Sequence, residues 1–317
     1  MIQSSITQTT NTVMMVRPIN FKANPQTITT NAFQSMSSDE KDREVQEGAL
    51  EEFNALVYKL RENGVHVISI NDTPKPNTPD SIFPNNWVST HEDGTVVVYP
   101  MLTKNRRAER RSDILHTLEE DKLFKIEKLV DLTNYENENL FLEGTGSMVL
   151  DRVNKIAYAC LSARTDLKVL EDFGRQLKYK IVAFYSVDRK GLQIYHTNVM
   201  MSVGDKFAVV CLQSIHDLKE RSRVVKSLEK TGHEIIEISY NQLYSFAGNM
   251  LQIRNDAGES LLVMSQQARD SLNEDQVSAI EKYARIVSSP LDVIEKHGGG
   301  SARCMLAEIH LPKIEKL

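Results

Sequence analysis

Residues 198–211 read Asn-Val-Met-Met-Ser-Val-Gly-Asp-Lys-Phe-Ala-Val-Val-Cys, a stretch that is typical of a β-hairpin. Two apolar runs flank the segment Val203-Gly-Asp205, and strands joined by a Gly/Asp turn are a recognised hairpin signal. The stretch opens with a polar residue, Asn198, followed by two large apolar residues. Similar triplets recur at other places in the chain.

Five triplets share this pattern of one small or polar residue followed by two large apolar ones. Their first residues are separated by 61, 51, 51 and 55 positions. They are Asn86-Trp-Val, Ser147-Met-Val, Asn198-Val-Met, Asn249-Met-Leu and Cys304-Met-Leu. A turn and a second strand follow each of the first four, and a helix and a third strand come next. A period of this size indicates a propeller, a solenoid or a similar array.

Polar residues suited to helix N-caps precede several of the predicted helices. Asp166 and Asp217 stand before amphipathic stretches, and Ser271-x-x-Glu274 resembles a capping box. We therefore expect helices to begin at these three places.

The ends of the chain can together complete a fifth unit. Only thirteen residues follow Cys304, but strands are predicted at residues 13–16 and 65–70, with a helix at 39–63 between them. Joining both termini in one unit would leave no exposed sheet edge. The expected fold is a single α/β domain over residues 1–317, a five-bladed propeller of ββαβ units with pseudo-fivefold symmetry. The predicted units are 304–317 plus 1–75, 76–135, 136–187, 188–239 and 240–297.

In such a ring the five triplet openings would face a common axis, as the first residues of their strands. Cys304 is the most reactive of them and follows Gly298-Gly-Gly300, where the backbone can approach a ligand closely. We therefore predict that Cys304 is a catalytic nucleophile. The alternative is a small buried core residue, which is the ordinary role of a free cysteine and the one predicted for Cys160 and Cys211.

A cysteine nucleophile usually needs a base, and the base needs an orienting group. His196 is the best placed of the eight histidines, because it lies two residues before Asn198. Glu143 precedes Ser147 in an otherwise apolar lead-in and is predicted to hold His196. A simple loop charge is the alternative role for Glu143.

Composition excludes several classes of function. A net charge of −5 gives no indication of a nucleic-acid or membrane partner, and no apolar run is long enough to span a membrane. The basic run at 104–111 is interpreted as a solvated helix face. The sequence shows no secretory signal, and three unpaired cysteines favour a reduced, cytoplasmic protein. No metal-ligand pattern or phosphate-binding loop is recognised, so no metal or cofactor is expected.

The five-unit pattern, Glu143-Gly-Thr-Gly, His196-Thr-Asn198 and the Gly-rich Cys304 segment together resemble the pentein superfamily of guanidine-modifying enzymes. These include arginine deiminase, dimethylarginine dimethylaminohydrolase and the amidinotransferases. The Pro79–Phe83 stretch is similar to the dimethylarginine hydrolase substrate loop. The segment Gly298–Met305, with Met15-Val-Arg-Pro18, looks closest to the citrulline-utilisation hydrolase branch.

Further residues acquire roles only through this resemblance. It implies that Arg164 and Arg106 hold the carboxylate of an amino-acid substrate, a task that suits an Arg fork. It also implies that Asp80, Asn86 and Asn198 orient a planar head group, and Asn85 is grouped with them as a substrate-binding residue.

Two departures from the resemblance bear on the substrate. Arginine deiminases carry Asp at the positions of Asn86 and Asn198, and the loss of two carboxylates weakens binding of a cationic guanidinium. A neutral ureido group has donors and an acceptor that amide side chains can match. The sequence therefore favours a citrulline-like ureido amino acid over a guanidino one, although Asp80 keeps a guanidino substrate open.

We expect a hydrolase that releases ammonia from such a substrate through a covalent Cys304 intermediate. Amidine transfer to an amine, arginine deimination and dimethylarginine hydrolysis are alternatives on the same scaffold. A non-catalytic ligand-binding protein and a purely structural propeller are two others. Homodimer formation is left open.

Overall fold

The computed structural model describes residues 6–31, 33–35, 42–121 and 124–314. In these ranges the named strands form five three-stranded sheets. Each sheet follows one scheme, in which the middle strand pairs antiparallel with one neighbour and parallel with the other. The strands are β1 (Thr12–Arg17), β2 (His66–Asn71), β3 (Val88–Thr90), β4 (Thr95–Val98), β5 (Lys128–Asp131), β6 (Val149–Asp151), β7 (Ile156–Cys160), β8 (Lys180–Phe184), β9 (Met201–Val203), β10 (Phe207–Val210), β11 (Glu234–Glu237), β12 (Leu251–Arg254), β13 (Ser260–Ser265), β14 (Arg285–Ser289) and β15 (Ala307–Glu308).

Each predicted unit contains one sheet. The sheet orders are β15-β1-β2, β3-β4-β5, β6-β7-β8, β11-β10-β9 and β12-β13-β14. In the four internal units, the predicted hairpin supplies the antiparallel pair and a crossover adds the parallel strand. The hairpin interpretation of residues 198–211 is confirmed, because Val203 pairs with Ala208 and Met201 with Val210.

The two ends of the described chain share a sheet. Val13 pairs with Glu308 and Met14 with Ala307 in an antiparallel ladder between β1 and β15. This pairing confirms that one unit is built from both ends. The α/β class is also confirmed. The five sheets are separate ladders, so the described residues do not form a closed barrel, and the propeller arrangement and the single domain stay predictions.

The helices lie between the strands of the units. They are α1 (Asp42–Glu62), α2 (Lys104–Arg107), α3 (Ser112–His116), α4 (Gly144–Ser147), α5 (Leu167–Leu177), α6 (Thr197–Met200), α7 (Leu218–Lys230), α8 (Tyr240–Tyr244), α9 (Gln266–Ser271), α10 (Glu274–Glu281) and α11 (Asp292–Gly298). The predicted helix at 39–63 corresponds to α1, and its first three residues lie outside the described residues. Asp166 and Asp217 cap α5 and α7 as predicted.

The capping box predicted at Ser271 and Glu274 was wrong by two residues. Asn273 caps α10 and forms the reciprocal bonds with Gln276. The Ser271 hydroxyl instead donates to the Ala268 carbonyl, because Ser271 is the last residue of α9. Two helices thus follow one another where the sequence suggested one.

Buried apolar clusters lie between sheets of neighbouring units. Tyr158, Phe207 and Met264 belong to one cluster that joins the third, fourth and fifth units. Other clusters join the first unit to the second and the second to the third. Val263 of the fifth unit and Val13 of the first unit share a further cluster.

The prediction that the triplet openings are first residues of strands was wrong. Asn86 and Cys304 lie on 3₁₀ turns, and Ser147 and Asn198 on single α-turns, each just before its strand. Asn249 precedes β12 by two residues.

The turns occur because backbones of neighbouring units meet here. A Cβ on Gly144 would lie 2.3 Å from the Asn85 carbonyl oxygen, and one on Gly248 would lie 2.3 Å from that of Val199. Glycine allows these approaches, and Gly144 also has φ of +49°.

Candidate active site

The Cys304 sulfur is held by two asparagine side chains from neighbouring units. Nδ2 of Asn198 lies 3.3 Å from Sγ and Nδ2 of Asn249 lies 3.2 Å from it. All three residues are buried. Three of the five triplet openings, Asn198, Asn249 and Cys304, are therefore in direct contact.

The other two openings have different roles. Asn86 lines the same cavity as Cys304, with its Oδ1 accepting from Arg106 at 2.9 Å. Ser147 faces away from the sulfur: its hydroxyl accepts from the Glu143 backbone N–H at 2.8 Å and donates to the Arg164 carbonyl. Ser147 thus holds the backbone of Glu143 in place.

His196 and Glu143 form the predicted pair. Nε2 of His196 lies 2.8 Å from Oε2 of Glu143, and both side chains are buried. Burial lowers the pKa of His196 to about 4, although Glu143 opposes the shift. The imidazole is therefore neutral at pH 7. Because the carboxylate only accepts, Nε2 carries the proton and Nδ1 has the free lone pair.

Two arginines surround Glu143. Arg164 lies 3.5 Å and Arg106 3.7 Å from Oε2, and the Leu102 backbone N–H donates to Oε1 at 3.0 Å. Burial alone would raise the pKa of Glu143, but Arg164, His196 and Arg106 together hold the pKa of this carboxyl well below its usual range. Glu143 is thus a fixed anion beside a neutral histidine.

Arg106 is buried in an ionic cluster, which contradicts the solvated helix face predicted for residues 104–111. Its guanidinium donates to both carboxylate oxygens of Glu109 at 2.9 Å, and its Nε lies 3.7 Å from Asp80. Only 2% of Arg106 is exposed. A substrate carboxylate at Arg106 would compete with partners that are already bound.

Asp80 offers the cavity an incompletely bonded carboxylate. Its Oδ2 accepts from Nδ2 of Asn24 at 2.7 Å, and its Oδ1 has no hydrogen-bond partner among the described residues. Burial raises the pKa of Asp80, with Arg106 and Asn24 acting in the opposite direction. A cationic or N–H-bearing ligand would satisfy the free oxygen.

Asn85 does not line the cavity. Its Nδ2 lies 3.3 Å from the Thr145 hydroxyl, and that hydroxyl also contacts the Asn85 carbonyl. Asn85 therefore joins two turns of neighbouring units. The structure gives it no contact with the other predicted site residues that would support substrate binding.

Arg164 is anchored by an N-terminal segment whose role the sequence did not reveal. NH2 of Arg164 donates to the Thr30 hydroxyl at 2.7 Å and to the Thr27 carbonyl at 3.2 Å. Its guanidinium also lies over the ring of Tyr195, 4.9 Å from the centroid. Tyr195 in turn donates from its hydroxyl to the Gly299 carbonyl in the turn before Cys304. The apolar-looking lead-in Ile194-Tyr195 gave no sign of this role.

One small cavity connects these groups. Cys304, His196, Asp80, Asn86, Arg106 and Arg164 line it, while Glu143, Asn85 and Asn198 lie behind its surface. Its free volume is about 10 Å³, about the room that one water molecule needs. An amino acid can enter only if lining residues move. Across the described part of the chain, no group of His, Cys, Asp and Glu could hold a metal ion.

Comparison with solved structures identifies proteins with a similar fold. ArgZ, an arginine dihydrolase from the ornithine–ammonia cycle in cyanobacteria, superimposes with a TM-score of 0.73 at 16% identity, over 96% of this chain and 41% of that chain. The substrate-bound N-terminal domain of ArgZ gives 0.71 at 16% identity, over 94% of this chain and 97% of that chain. The present chain thus spans about two fifths of full-length ArgZ. At these identities the likeness shows the fold alone.

A dimethylarginine dimethylaminohydrolase bound to S-methyl-L-thiocitrulline as an adduct gives a TM-score of 0.64 at 14% identity, covering 95% of this chain and all of that chain. A search of curated protein sequences found no match. Among the described residues, no helix is both long and apolar enough to cross a membrane.

The match to a family model, together with the fold, places the chain in the pentein superfamily of guanidino-modifying proteins. A family model described as N,N dimethylarginine dimethylhydrolase, eukaryotic, matches residues 17–311. The chain belongs to this family.

Proposed function

We propose that the chain is a cysteine-dependent hydrolase that releases ammonia from a ureido or guanidino amino acid, with a citrulline-like compound favoured. The observation that carries the proposal is one buried cavity lined by Cys304, His196 and Asp80, with Glu143 fixed behind the histidine. A nucleophile and a proton acceptor thus line one cavity, and the acceptor is bonded to its orienting anion. Family membership supports a hydrolase of C–N bonds.

In the proposed reaction, the Cys304 sulfur bonds to the ureido or guanidino carbon and the thiol proton passes to Nδ1 of His196. The departing nitrogen takes this proton and leaves as ammonia, while sulfur remains bonded to carbon. Water then loses a proton to His196 and adds to the same carbon. The carbon–sulfur bond breaks and its electron pair returns to sulfur. A ureido substrate would leave a carbamate, which decomposes to an amine and carbon dioxide.

The orientation of Asn86 supports a ureido substrate. Because Arg106 can only donate, Oδ1 of Asn86 must face it, and Nδ2 has no partner among the described residues. A free N–H matches a ureido carbonyl oxygen, whereas a guanidinium presents only N–H groups. Arg164 is the arginine we assign to the substrate carboxylate, because its NH2 is bonded to neutral groups, the Thr30 hydroxyl and the Thr27 carbonyl, which a carboxylate can displace. Arg106 is bound to both carboxylate oxygens of Glu109, and we reassign it to positioning Asn86.

A guanidino substrate is the second candidate, and Asp80 is the observation that favours it. Its free Oδ1 would suit a cationic head group. With a guanidino substrate, the reaction would be arginine deimination, dimethylarginine hydrolysis or an arginine dihydrolase reaction like that named for ArgZ. Amidine transfer would replace water by an amine, and a non-catalytic binding protein would show no turnover.

We also propose that the five sheets are the blades of a five-bladed propeller within one domain. The apolar cluster that joins Val263 of the fifth unit to Val13 of the first supports a closed ring. A cytoplasmic location and a homodimer stay predictions.

Ammonia release from a panel of guanidino and ureido amino acids would test the proposed function. We expect turnover of ureido compounds by the wild-type protein and a loss of about a thousandfold or more in Cys304→Ser, because the hydroxyl is a much weaker nucleophile. Cys211→Ser, at a buried cysteine that directly follows β10, serves as the control. Unchanged activity in Cys304→Ser would refute the mechanism, and faster turnover of arginine than citrulline would refute the ureido preference.

Asn86→Asp is expected to shift the preference toward cationic substrates by about tenfold or more. The carboxylate keeps the bond to Arg106 and replaces the free N–H by an acceptor, and charge-assisted bonds contribute about 1.5–3 kcal/mol. The ratio of kcat/KM for arginine and citrulline measures the shift. Asn85→Asp is the matched control, since Asn85 contacts Thr145 outside the cavity. An unchanged ratio in Asn86→Asp would show that this residue does not contact the head group.

A further inference from the structure

The amide of Asn249 is fixed with its nitrogen toward the Cys304 sulfur. Nδ2 of Asn249 lies 2.9 Å from the Asn198 backbone carbonyl and 3.2 Å from Sγ. A carbonyl oxygen only accepts, so the side-chain nitrogen, and not its oxygen, must occupy this position. The two N–H bonds of one nitrogen thus reach the carbonyl and the sulfur.

The second donor comes from the neighbouring unit. Nδ2 of Asn198 lies 3.3 Å from the same sulfur, and both asparagines are fully buried. The side-chain hydrogen bond of His196 is the one from Nε2 to Glu143, and its Nδ1 makes none to the sulfur in this structure. Among the described residues, the side-chain hydrogen bonds of Cys304 come from these two amides.

We propose that Asn249 is a catalytic residue that, together with Asn198, forms a two-donor site for the Cys304 thiolate. A buried anion is costly unless hydrogen-bond donors compensate it, and N–H donors favour the charged form of an acceptor over the neutral one. This inference rests on the proposed function in assigning Cys304 the attacking role. It departs from the sequence prediction, which gave Asn249 no role in the site and gave Asn198 to the substrate.

The same site would assist the second half of the reaction. When the carbon–sulfur bond breaks, its electron pair returns to sulfur, where both N–H groups already point. The sulfur thus leaves as a hydrogen-bonded thiolate, and no proton is needed at that moment. The same two amides therefore stabilise both the attacking thiolate and the leaving thiolate.

Alkylation of Cys304 by iodoacetamide would test the thiolate site without any substrate. The rate would be measured at pH 7 and pH 9.5 for the wild type, Asn249→Ala and Asn249→Ser, with the modified residue identified by mass spectrometry. We expect the alanine variant to react about tenfold more slowly at pH 7 and at nearly the wild-type rate at pH 9.5, because high pH favours the deprotonated form of thiols in general. The serine variant keeps a shorter donor and should lie between them.

Two results would overturn the proposal. One is an unchanged rate at pH 7 in both variants; the other is an equal reduction at both pH values, which indicates a change of access rather than of ionisation. Gln252→Ala, at a buried amide that accepts from the Asp205 backbone, controls for general loosening. If the alkylation results are as expected but no panel substrate is turned over, the thiolate site stands and the proposed function fails.

Discussion

Glu143→Gln is expected to lower kcat for ammonia release by about a thousandfold. The carboxylate lies 2.8 Å from Nε2 of His196 and fixes the proton on that nitrogen. A glutamine amide can donate to the ring instead, which favours the tautomer with its proton on Nδ1 and removes the acceptor that Cys304 needs. Loss of the orienting carboxylate in a Ser-His-Asp triad lowers kcat by about ten-thousandfold, so a loss of at least about a thousandfold is expected here.

The substitution also removes a buried charge that compensates Arg164 and Arg106, so stability must be measured beside activity. Glu109→Gln is a matched control, because Glu109 is an equally buried carboxylate that pairs with Arg106 and has no contact with His196. We expect both variants to lose stability in urea denaturation. Only Glu143→Gln should lose most of its kcat, with Glu109→Gln remaining within about tenfold of wild type. Equal losses of kcat would mean that Glu143 acts only through the ion pairs.

The repeat could be predicted because its signals are local. The Val203-Gly-Asp205 turn and the Asp217 cap act within a few residues, and the structure places both as expected. Local signals also pointed to two site residues: Glu143 is an acid in an apolar lead-in, and His196 lies two residues before the triplet opening Asn198.

The single turns that carry Asn86 and Cys304 could not be predicted, because one turn is shorter than a helical period. The turn at Asn86 is packed against the backbone of the next unit, as the approach of Gly144 to the Asn85 carbonyl shows. Asn249 illustrates the consequence. The repeat placed it at the centre, but only the arrangement of three units shows that it contacts sulfur.

The burial of Arg106 was missed for a related reason. The run Lys104–Arg111 has the composition of an exposed helix, and apart from Glu109 the side chains that pair with Arg106 lie outside this run. Asn86 and Asp80 precede it by 20 and 26 residues. The contact of Arg164 with Thr30 spans 134 residues. Pairings at such separations leave no periodic pattern in a single sequence.

Arg106→Met is expected to lower the free energy of unfolding by about 3–5 kcal/mol at pH 8. Methionine preserves much of the side-chain volume but leaves Glu109 and Asp80 buried without their counterion, and uncompensated buried charges carry this cost. Urea denaturation at pH 8 measures the change. Arg107→Met, at a neighbouring arginine that is only partly buried, should have a much smaller effect.

The pH dependence of this loss follows from the carboxylates. Burial already raises the pKa of Asp80, and raises that of Glu109 to about 8, with Arg106 present, and removal of the guanidinium must raise both further. A carboxyl group whose pKa is higher in the folded than in the unfolded state is easier to accommodate in the fold when it is protonated. Its deprotonation therefore lowers the stability of the fold as pH rises. The penalty of Arg106→Met should therefore be smaller at pH 5 than at pH 8. The double variant Arg106→Met with Glu109→Gln should recover part of the lost stability, because glutamine is neutral without the proton that a buried Glu109 would have to take up on folding. A penalty that is independent of pH and unaffected by the second substitution would mean that packing, and not charge, holds Arg106 in place.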